Sequence, residues 1–386
     1  VERPRLLHVV GPSKFGGDSV LVLELARAAE EKGFRVDVLA SDPRFQELIR
    51  EEGFGLVDLD VLKREIRPVA DLNALVRLTG MLRRSSYDIV HTHTSKPGVI
   101  GRLAATRAGV PGILHTVHLF GFHEESGALA TGVYAQVERA AAHWCHRIVT
   151  VSEFHRDWAL RLGIGTAEKV LAIPNGVPTR RADGRRGRAD VRAELGLTDE
   201  IAVVSTGRLA EQKGLEYLVR AVPLLGPDRA KVRVLLAGDG PLHDELSTLV
   251  SDLGVQDVVR FLGFRDDVGD LLAASDIVAL PSLWEGLSVS LLEAMAAGRP
   301  VVTTTIGSSR EVTRDGAVAV LVPPKDPGAL ASAIRGLVDD PVRREALGVL
   351  GQQEQRSRYT MGRMLDSYLE EYDRLLAGGA RTVVGR

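Results

Sequence analysis

Ile201-Ala202-Val203-Val204-Ser205-Thr206-Gly207-Arg208-Leu209-Ala210-Glu211-Gln212-Lys213-Gly214 is the stretch on which the fold turns. A short apolar run ending in a glycine loop reads as a buried strand, and the amphipathic stretch after Gly214 reads as a helix. A strand–loop–helix series therefore starts afresh in the middle of a 386-residue chain. Downstream it predicts strands at 201–205, 232–237, 259–262, 277–280 and 301–303, with helices at 214–225, 242–253, 287–297 and 329–338. Upstream the same alternation predicts strands at 6–10, 36–40, 89–91, 112–116, 147–151 and 170–173. Helices are expected between them at 18–32, 72–84, 99–108 and 133–143. Such alternation marks βαβ units and a parallel sheet.

Two series predict an α/β protein of two Rossmann-like domains facing each other. Ligands of open α/β sheets bind outside the carboxyl ends of the strands, so the ligand is expected in the cleft between the domains. The length agrees, since 386 residues exceed one ordinary core. The expected limits are 1–178 for an acceptor-binding domain, 179–198 for a linker and 199–356 for a donor-binding domain. The linker is rich in Arg, Gly and Asp without an apolar period, as in a solvated connection. A last helix at 361–376 carries Met364, Leu365, Tyr368, Leu369 and Tyr372 on one face, and 357–376 is expected to pack back onto the first domain. The tail from 378 to 386 reads as disordered.

Hydrophobic content of 45%, charged content of 26% and a net charge of −2 describe a globular protein with no general attraction to nucleic acid. The single cysteine, Cys145, excludes an internal disulfide and suits a reducing compartment, so a cytoplasmic location is expected. The start, Val1-Glu2-Arg3-Pro4-Arg5, is too charged for a signal peptide. No apolar run approaches the roughly 18 residues of a membrane span. A weak peripheral membrane contact stays open.

Four elements carry chemistry. In the run Trp284 to Pro300, Glu285 lies in a loop before a helix and Glu293 about two turns into it. Helix-start N–H groups suit an anion and carboxylates suit hydroxyls; a sugar nucleotide offers both. Arg208 and Lys213, at a strand's carboxyl end, can neutralise a diphosphate and stabilise it as a leaving group. The third element, Gly11-Pro12-Ser13-Lys14-Phe15-Gly16-Gly17-Asp18, lets a ligand approach the backbone, but it is not G-x-G-x-x-G, which weakens a dehydrogenase reading. The fourth is a histidine-rich stretch, with eight of ten histidines between 91 and 155. His91 and His93 share a strand face, and His115 and His118 end another predicted strand. No cysteine or acidic partner stands at zinc-like spacing, so no metal is expected. A histidine at a strand's carboxyl end can orient a sugar or act on a proton.

In chain order, the motifs are Gly16-Gly17, His91-Thr92-His93, His115-Thr116-Val117-His118, Val151-Ser152-Glu153, Pro174-Asn175-Gly176-Val177, Gly207-Arg208 with Lys213-Gly214, Gly238-Asp239-Gly240-Pro241, Pro281-Ser282 and Glu285 through Gly298. The series closely resembles the retaining glycosyltransferases of family 4, which have the GT-B fold, from Gly11 to about Tyr372. The resemblance implies that Arg208 and Lys213 bind the donor diphosphate and that Glu293 holds the ribose hydroxyls. It implies that Glu285 contacts the donor sugar, and that N–H groups of Gly286, Leu287 and Ser288 hold sugar or phosphate oxygens. Gly16 and Gly17 would admit the diphosphate side, and His118 would sit beside the O6 region of the reacting sugar.

The implied reaction moves a hexosyl or N-acetylhexosaminyl group, with retention, from a nucleoside-diphosphate sugar, expected to be a UDP-sugar. The acceptor would be a hydroxyl on a small natural-product aglycone or aminocyclitol, or on a lipid-linked glycan. No cofactor is implied. Same-face attack is expected, because no carboxylate nucleophile stands out near the histidines; Glu124 and Glu125 read as solvent-facing helix starters. His93, Lys96, Phe120 and His123 are the acceptor-side candidates. The run His91 to Gly98 looks like bacterial members that act on lipid carriers. Leu119, and Gly286-Leu287-Ser288-Val289-Ser290 where the family often has Gly-Phe-Gly, imply a bulkier, more polar sugar pocket. An epimerase on the same fold and a non-catalytic nucleotide-sugar binder are the alternatives.

Overall fold

The computed structural model describes residues 3–11, 16–59, 67–178 and 186–383. The chain divides into two compact units, Val1–Asn175 with Gly362–Arg386, and Gly176–Met361.

The first unit is built on seven parallel strands: β1 (Arg5–Val9), β2 (Arg35–Leu39), β3 (Gly55–Leu56), β4 (Ile89–His93), β5 (Gly112–Val117), β6 (Arg147–Thr150) and β7 (Val170–Ala172). Their order is β3-β2-β1-β4-β5-β6-β7. Between them run helices α1 (Gly17–Glu31), α2 (Pro43–Glu51), α3 (Pro68–Ser85), α4 (Ser95–Ala108), α5 (Ala128–Ala142) and α6 (Glu153–Arg161). The central strands are buried on both faces because helices cover both. Val9, Val90 and Ile113 of the sheet share one core with Leu78 of α3 and Ala104 of α4.

The second unit repeats the plan with β8 (Ile201–Thr206), β9 (Val232–Ala237), β10 (Val259–Gly263), β11 (Ile277–Leu280), β12 (Val301–Thr304) and β13 (Val320–Val322). The order is β10-β9-β8-β11-β12-β13. Its helices are α7 (Arg188–Glu194), α8 (Leu215–Ala221), α9 (His243–Asp252), α10 (Val268–Ala274), α11 (Val289–Ala296), α12 (Gly307–Val312), α13 (Pro327–Val338) and α14 (Pro341–Arg358). In both sheets the strand order reverses beside the first strand, at β1/β4 and at β8/β11. Such switch points are where open α/β sheets take ligands. The last helix, α15 (Met361–Val383), belongs to the first unit from Gly362 onward.

Two expectations need correction. The segment expected as linker contains α7, whose Val191 is fully buried with Leu195 and Leu197 against Ala202, Val204 and Leu271. Val191 and Leu195 are four apart, so an apolar helical face was present. Residues 179–185 lie outside the described residues. The tail expected to be disordered is partly helical, since α15 runs to Val383. The chain passes between units at 175–176 and 361–362. These passes pair through Val177 N to Tyr359 O at 3.1 Å and Met361 N to Val177 O at 3.3 Å. Gly176 lies on the Thr360 carbonyl, where a Cβ would not fit. Among the described residues no helix is long and apolar enough to cross a membrane.

Candidate active site

In the second unit two loops meet at the switch point. One follows β8 and carries Arg208 and Lys213; the other follows β11 and carries Ser282 and Glu285. They are joined by Leu283 N to Gln212 O at 2.8 Å. Gly207, at φ 138°, leaves room for the Lys213 stem, whose Cε would lie 3.3 Å from a Cβ there. Gly214, at φ 58°, rests on the Pro281 carbonyl, and Gly238 rests on that of Gly207. These glycines are thus required by close backbone approach. They explain the Gly207-Arg208, Lys213-Gly214 and Gly238-Asp239-Gly240 motifs together.

The Lys213 ammonium sits 2.5 Å from Glu285 Oε1. Glu285 is 7% exposed and also accepts from Ser282 Oγ at 3.0 Å and Gln212 Nε2 at 2.9 Å. Its backbone carbonyl accepts from Ser308 Oγ at 3.2 Å. A buried carboxylate needs such donors to remain charged. Arg208 is exposed, and among the described residues its guanidinium has no partner. A solvent-facing, uncommitted cation is available to an anionic ligand.

Helix α11 opens directly after this loop. Ser288 is its N-cap, with Oγ accepting from Leu291 N at 3.3 Å. The helix starts at Val289, two residues later than expected, so the half-buried Glu293 is its fifth residue, just over one turn in rather than two. Glu293 nonetheless sits on the element that presents the helix start. Gly286 and Leu287 are buried in the loop.

In the first unit, parallel register gathers the histidines. His8 of β1 pairs with His91 of β4, and His93 pairs with Thr116 of β5, so the four share one face of the sheet. His8 Nδ1 lies 3.0 Å from His93 Nε2, and His93 Nδ1 lies 3.1 Å from His118 Nε2. His91 is bonded at both nitrogens, to Tyr372 Oη at 2.7 Å and Thr116 Oγ1 at 2.8 Å. His115 points to the other face, bonded to Thr92 Oγ1 at 2.9 Å. Its ring occupies the space a side chain at Gly98 would need. Burial holds all these rings neutral: it brings His8 down to about 3 and His91, His93 and His115 well below the ordinary histidine value. His118, just beyond β5 and half-buried, is lowered by burial against the opposing charge of Asp18.

One group among the described residues, His8, His91 and His93, has ring nitrogens within 4.8 Å of one another, close enough to share a cation. Here both His91 nitrogens are bonded to Tyr372 and Thr116, and His8 Nδ1 is bonded to His93 Nε2. A metal would have to displace these bonds.

The acceptor-side candidates fare unequally. His93 is 2% exposed and Phe120 4%. Phe120 stacks on Phe122 at 5.0 Å and meets Trp158 edge-on, so it is a core residue rather than a contact surface. His93 contacts histidines on its own sheet. Lys96 is half-buried, 2.6 Å from Asp71, and His123 is half-buried in the turn before α5. Arg102, in the same region, is fully buried and paired to Glu138 at 2.8 Å. Glu124 and Glu125 are exposed in that turn, four and three residues before α5, and do not start it. Gly16 caps α1 and Gly17 opens it, while Pro12 to Phe15 lie outside the described residues. Val151-Ser152-Glu153 is a helix start, with Ser152 capping α6 and bonded to His155 Nδ1 at 2.7 Å.

Sequence reasoning missed His8, Gln212, Tyr368 and Tyr372. Tyr368 and Tyr372 were placed on a buried apolar face, but their hydroxyls bond Thr116 at 3.1 Å and His91 at 2.7 Å. His8 stood in a predicted strand, and only strand register shows that it adjoins His91.

Residues 200–340 match the family model described as Glycosyl transferases group 1, and residues 16–176 match the Glycosyl transferase 4-like domain. The chain is 32% identical to UDP-Gal:alpha-D-GlcNAc-diphosphoundecaprenol alpha-1,3-galactosyltransferase of Escherichia coli, over 73% of this chain and 74% of that one. It is 30% identical to D-inositol 3-phosphate glycosyltransferase of Kineococcus radiotolerans, over 94% of this chain and 92% of that one. Among solved structures, Anabaena Alr3699/HepE in complex with UDP and glucose superposes with a TM-score of 0.84 at 22% identity, over 96% of this chain and 100% of that one, a likeness of fold. Two matched domains, two switch-point sheets and these relatives place the chain in the family-4 type of GT-B glycosyltransferases, enzymes that use a nucleotide sugar.

Proposed function

We propose that the chain transfers a hexosyl or N-acetylhexosaminyl group from a UDP-sugar to a hydroxyl of a lipid-linked glycan, with retention and without a metal. The observation that carries the reading is the Arg208, Lys213, Glu285 and α11 constellation at the β8/β11 switch point. The Escherichia coli relative, named for UDP-Gal and a diphosphoundecaprenol-linked acceptor, supports the choice of donor and acceptor class.

Leaving-group departure puts negative charge on the β-phosphate. Arg208 meets that charge directly. The diphosphate competes with Glu285 for Lys213, and as the ammonium turns toward phosphate the carboxylate is freed to accept from sugar hydroxyls. Glu293 accepts from the ribose, while N–H groups of Gly286 to Ser288 face the anion. Fixed cations and backbone dipoles supply the stabilisation a metal supplies elsewhere. His118 serves the O6 region of the sugar, the role the family resemblance assigns it. The phosphate oxygen takes the acceptor proton as the acceptor attacks from the same face.

The test is UDP release from UDP-galactose, UDP-glucose and UDP-N-acetylglucosamine, with and without a polyprenyl-diphosphate-linked N-acetylglucosamine, in EDTA. Acceptor-dependent release with an α-linked product is expected. Loss of activity in EDTA overturns metal independence, epimerised donor without acceptor supports the epimerase, and binding without consumption supports a non-catalytic binder.

A further inference from the structure

We infer that His8 and His93 are positioning residues that fix His118 in its Nδ1–H tautomer, so that it offers a hydrogen-bond donor to a hydroxyl of the donor sugar. The functional half of this inference rests on the transferase reading. A neutral imidazole has one N–H and one acceptor nitrogen. Each link of the chain His8 Nδ1 to His93 Nε2, 3.0 Å, and His93 Nδ1 to His118 Nε2, 3.1 Å, needs one of each. With three neutral rings only two arrangements satisfy both links. Donation runs outward from His8 to His118, or inward from His118 to His8.

The inner end decides between them. His8 Nε2 is buried and, among the described residues, without a hydrogen-bond partner. Inward donation would leave an N–H stranded there, whereas outward donation leaves only a lone pair. Orphaned buried N–H donors are rarer than under-satisfied acceptors, and each costs its full desolvation. Leu21, Val22, Leu25, Asn175, Met364 and Tyr368 line the space beside His93 and His118, and the Tyr368 hydroxyl is bonded to Thr116. His91, with its ring centroid 4.1 Å from that of His93, does not compete, because both its nitrogens are committed to Tyr372 and Thr116. Burial keeps His8 and His93 uncharged, so each ring carries one N–H and one lone pair. Outward donation therefore reaches His118 Nε2 as an acceptor, and the proton of His118 resides on Nδ1.

The full-length protein with 15N-labelled histidine, studied by long-range proton–nitrogen correlation near neutral pH, reports the tautomers without any substrate. Protonated Nδ1 and unprotonated Nε2 are expected at His8, His93 and His118. An Nε2–H His118, or fast averaging of its two nitrogens, overturns the inference even if the variants below fail to fold. In His93→Leu the His118 signals should move to averaged tautomers. Its kcat/KM should fall about tenfold with a UDP-hexose, the value of one hydrogen bond, but change little with the corresponding 6-deoxy donor. Equal losses with both donors would mark a merely structural role and overturn it. Expected tautomers in a wild-type protein that consumes no nucleotide sugar would instead sink the transferase reading and the functional half with it, leaving only the tautomer assignment.

Discussion

Lys213 and Glu285 show how one residue pair can be both a structural and a functional unit. Side-chain exposures of 18% and 8% make their ion pair largely buried. Lys213→Met leaves Glu285 with only Gln212 and Ser282 as side-chain donors among the described residues. The second unit should lose about 2–4 kcal/mol, and a further Glu285→Gln change should restore part of it, because an uncompensated buried carboxylate is the main cost. Urea unfolding followed by a second-unit probe checks this; additive losses would contradict it. Arg208→Ala should leave stability within about 0.5 kcal/mol, as for an exposed side chain. UDP affinity should fall in the same variant. Glu293→Ala should weaken UDP binding by about 1–3 kcal/mol, the loss of a charge-assisted hydrogen bond, as read by calorimetry. Unchanged affinity would remove Glu293 from the ribose role. The residue types at these positions were legible in the sequence. Their pairing was not, because Lys213 and Glu285 lie 72 residues apart and meet only where β8 and β11 lie side by side.

At the scale of elements, strong apolar runs gave strands β1, β2, β4 to β9, β10, β11 and β12 within a few residues. Helices α2, α6, α7, α10, α12 and α14 were not anticipated. The starts of α2, α6 and α14 are fixed by side-chain caps, Asp42 to Phe45 N, Ser152 to His155 N and Asp340 to Arg343 N, while their apolar faces are sparse. Helix α14 packs through small residues instead: Gly348 touches the Gly298 carbonyl. Helices α4 and α5 are tied by Arg102 and Glu138, which are 0% and 4% exposed. Arg102 also donates through Nε to Gly98 O at 2.9 Å. Glu138→Ala should therefore cost the first unit about 3–5 kcal/mol, the penalty for stranding a buried guanidinium. A loss below about 1 kcal/mol in denaturant titration would mean that water reaches Arg102, the behaviour of an exposed pair.

For the whole molecule, buried histidines make acid stability uneven. His8, His91, His93, His115 and His155 are buried in the first unit, whereas the histidine of the second, His243, is half-buried. A folded value of about 3 for His8 lies below the unfolded value of about 6.5. The unfolded chain thus binds more protons in that window, and stability rises with pH there. The contribution is full above about pH 6.5 and is lost as pH falls towards 3, by about 1.4 kcal/mol per pH unit for each ring. His91, His93, His115 and, with a value near 4, His155 act in the same direction. Between pH 7.5 and 5 the first unit should lose stability faster than the second, and His8→Gln should flatten that slope. Parallel losses in both units would contradict this.

The sequence by itself determined two parallel α/β units, the loops that carry Arg208, Lys213 and Glu285, and the family, because strand and helix periodicity and local glycine motifs are properties of neighbouring residues. Only the tertiary structure decided which groups meet. The register of β1, β4 and β5 turned dispersed histidines into one bonded chain. The adjacency of β8 and β11 turned a lysine and a glutamate into a pair. Packing converted Phe120 and His93 from acceptor-side candidates into interior groups. These outcomes follow from strand order and side-chain burial, which depend on contacts between segments far apart in the chain.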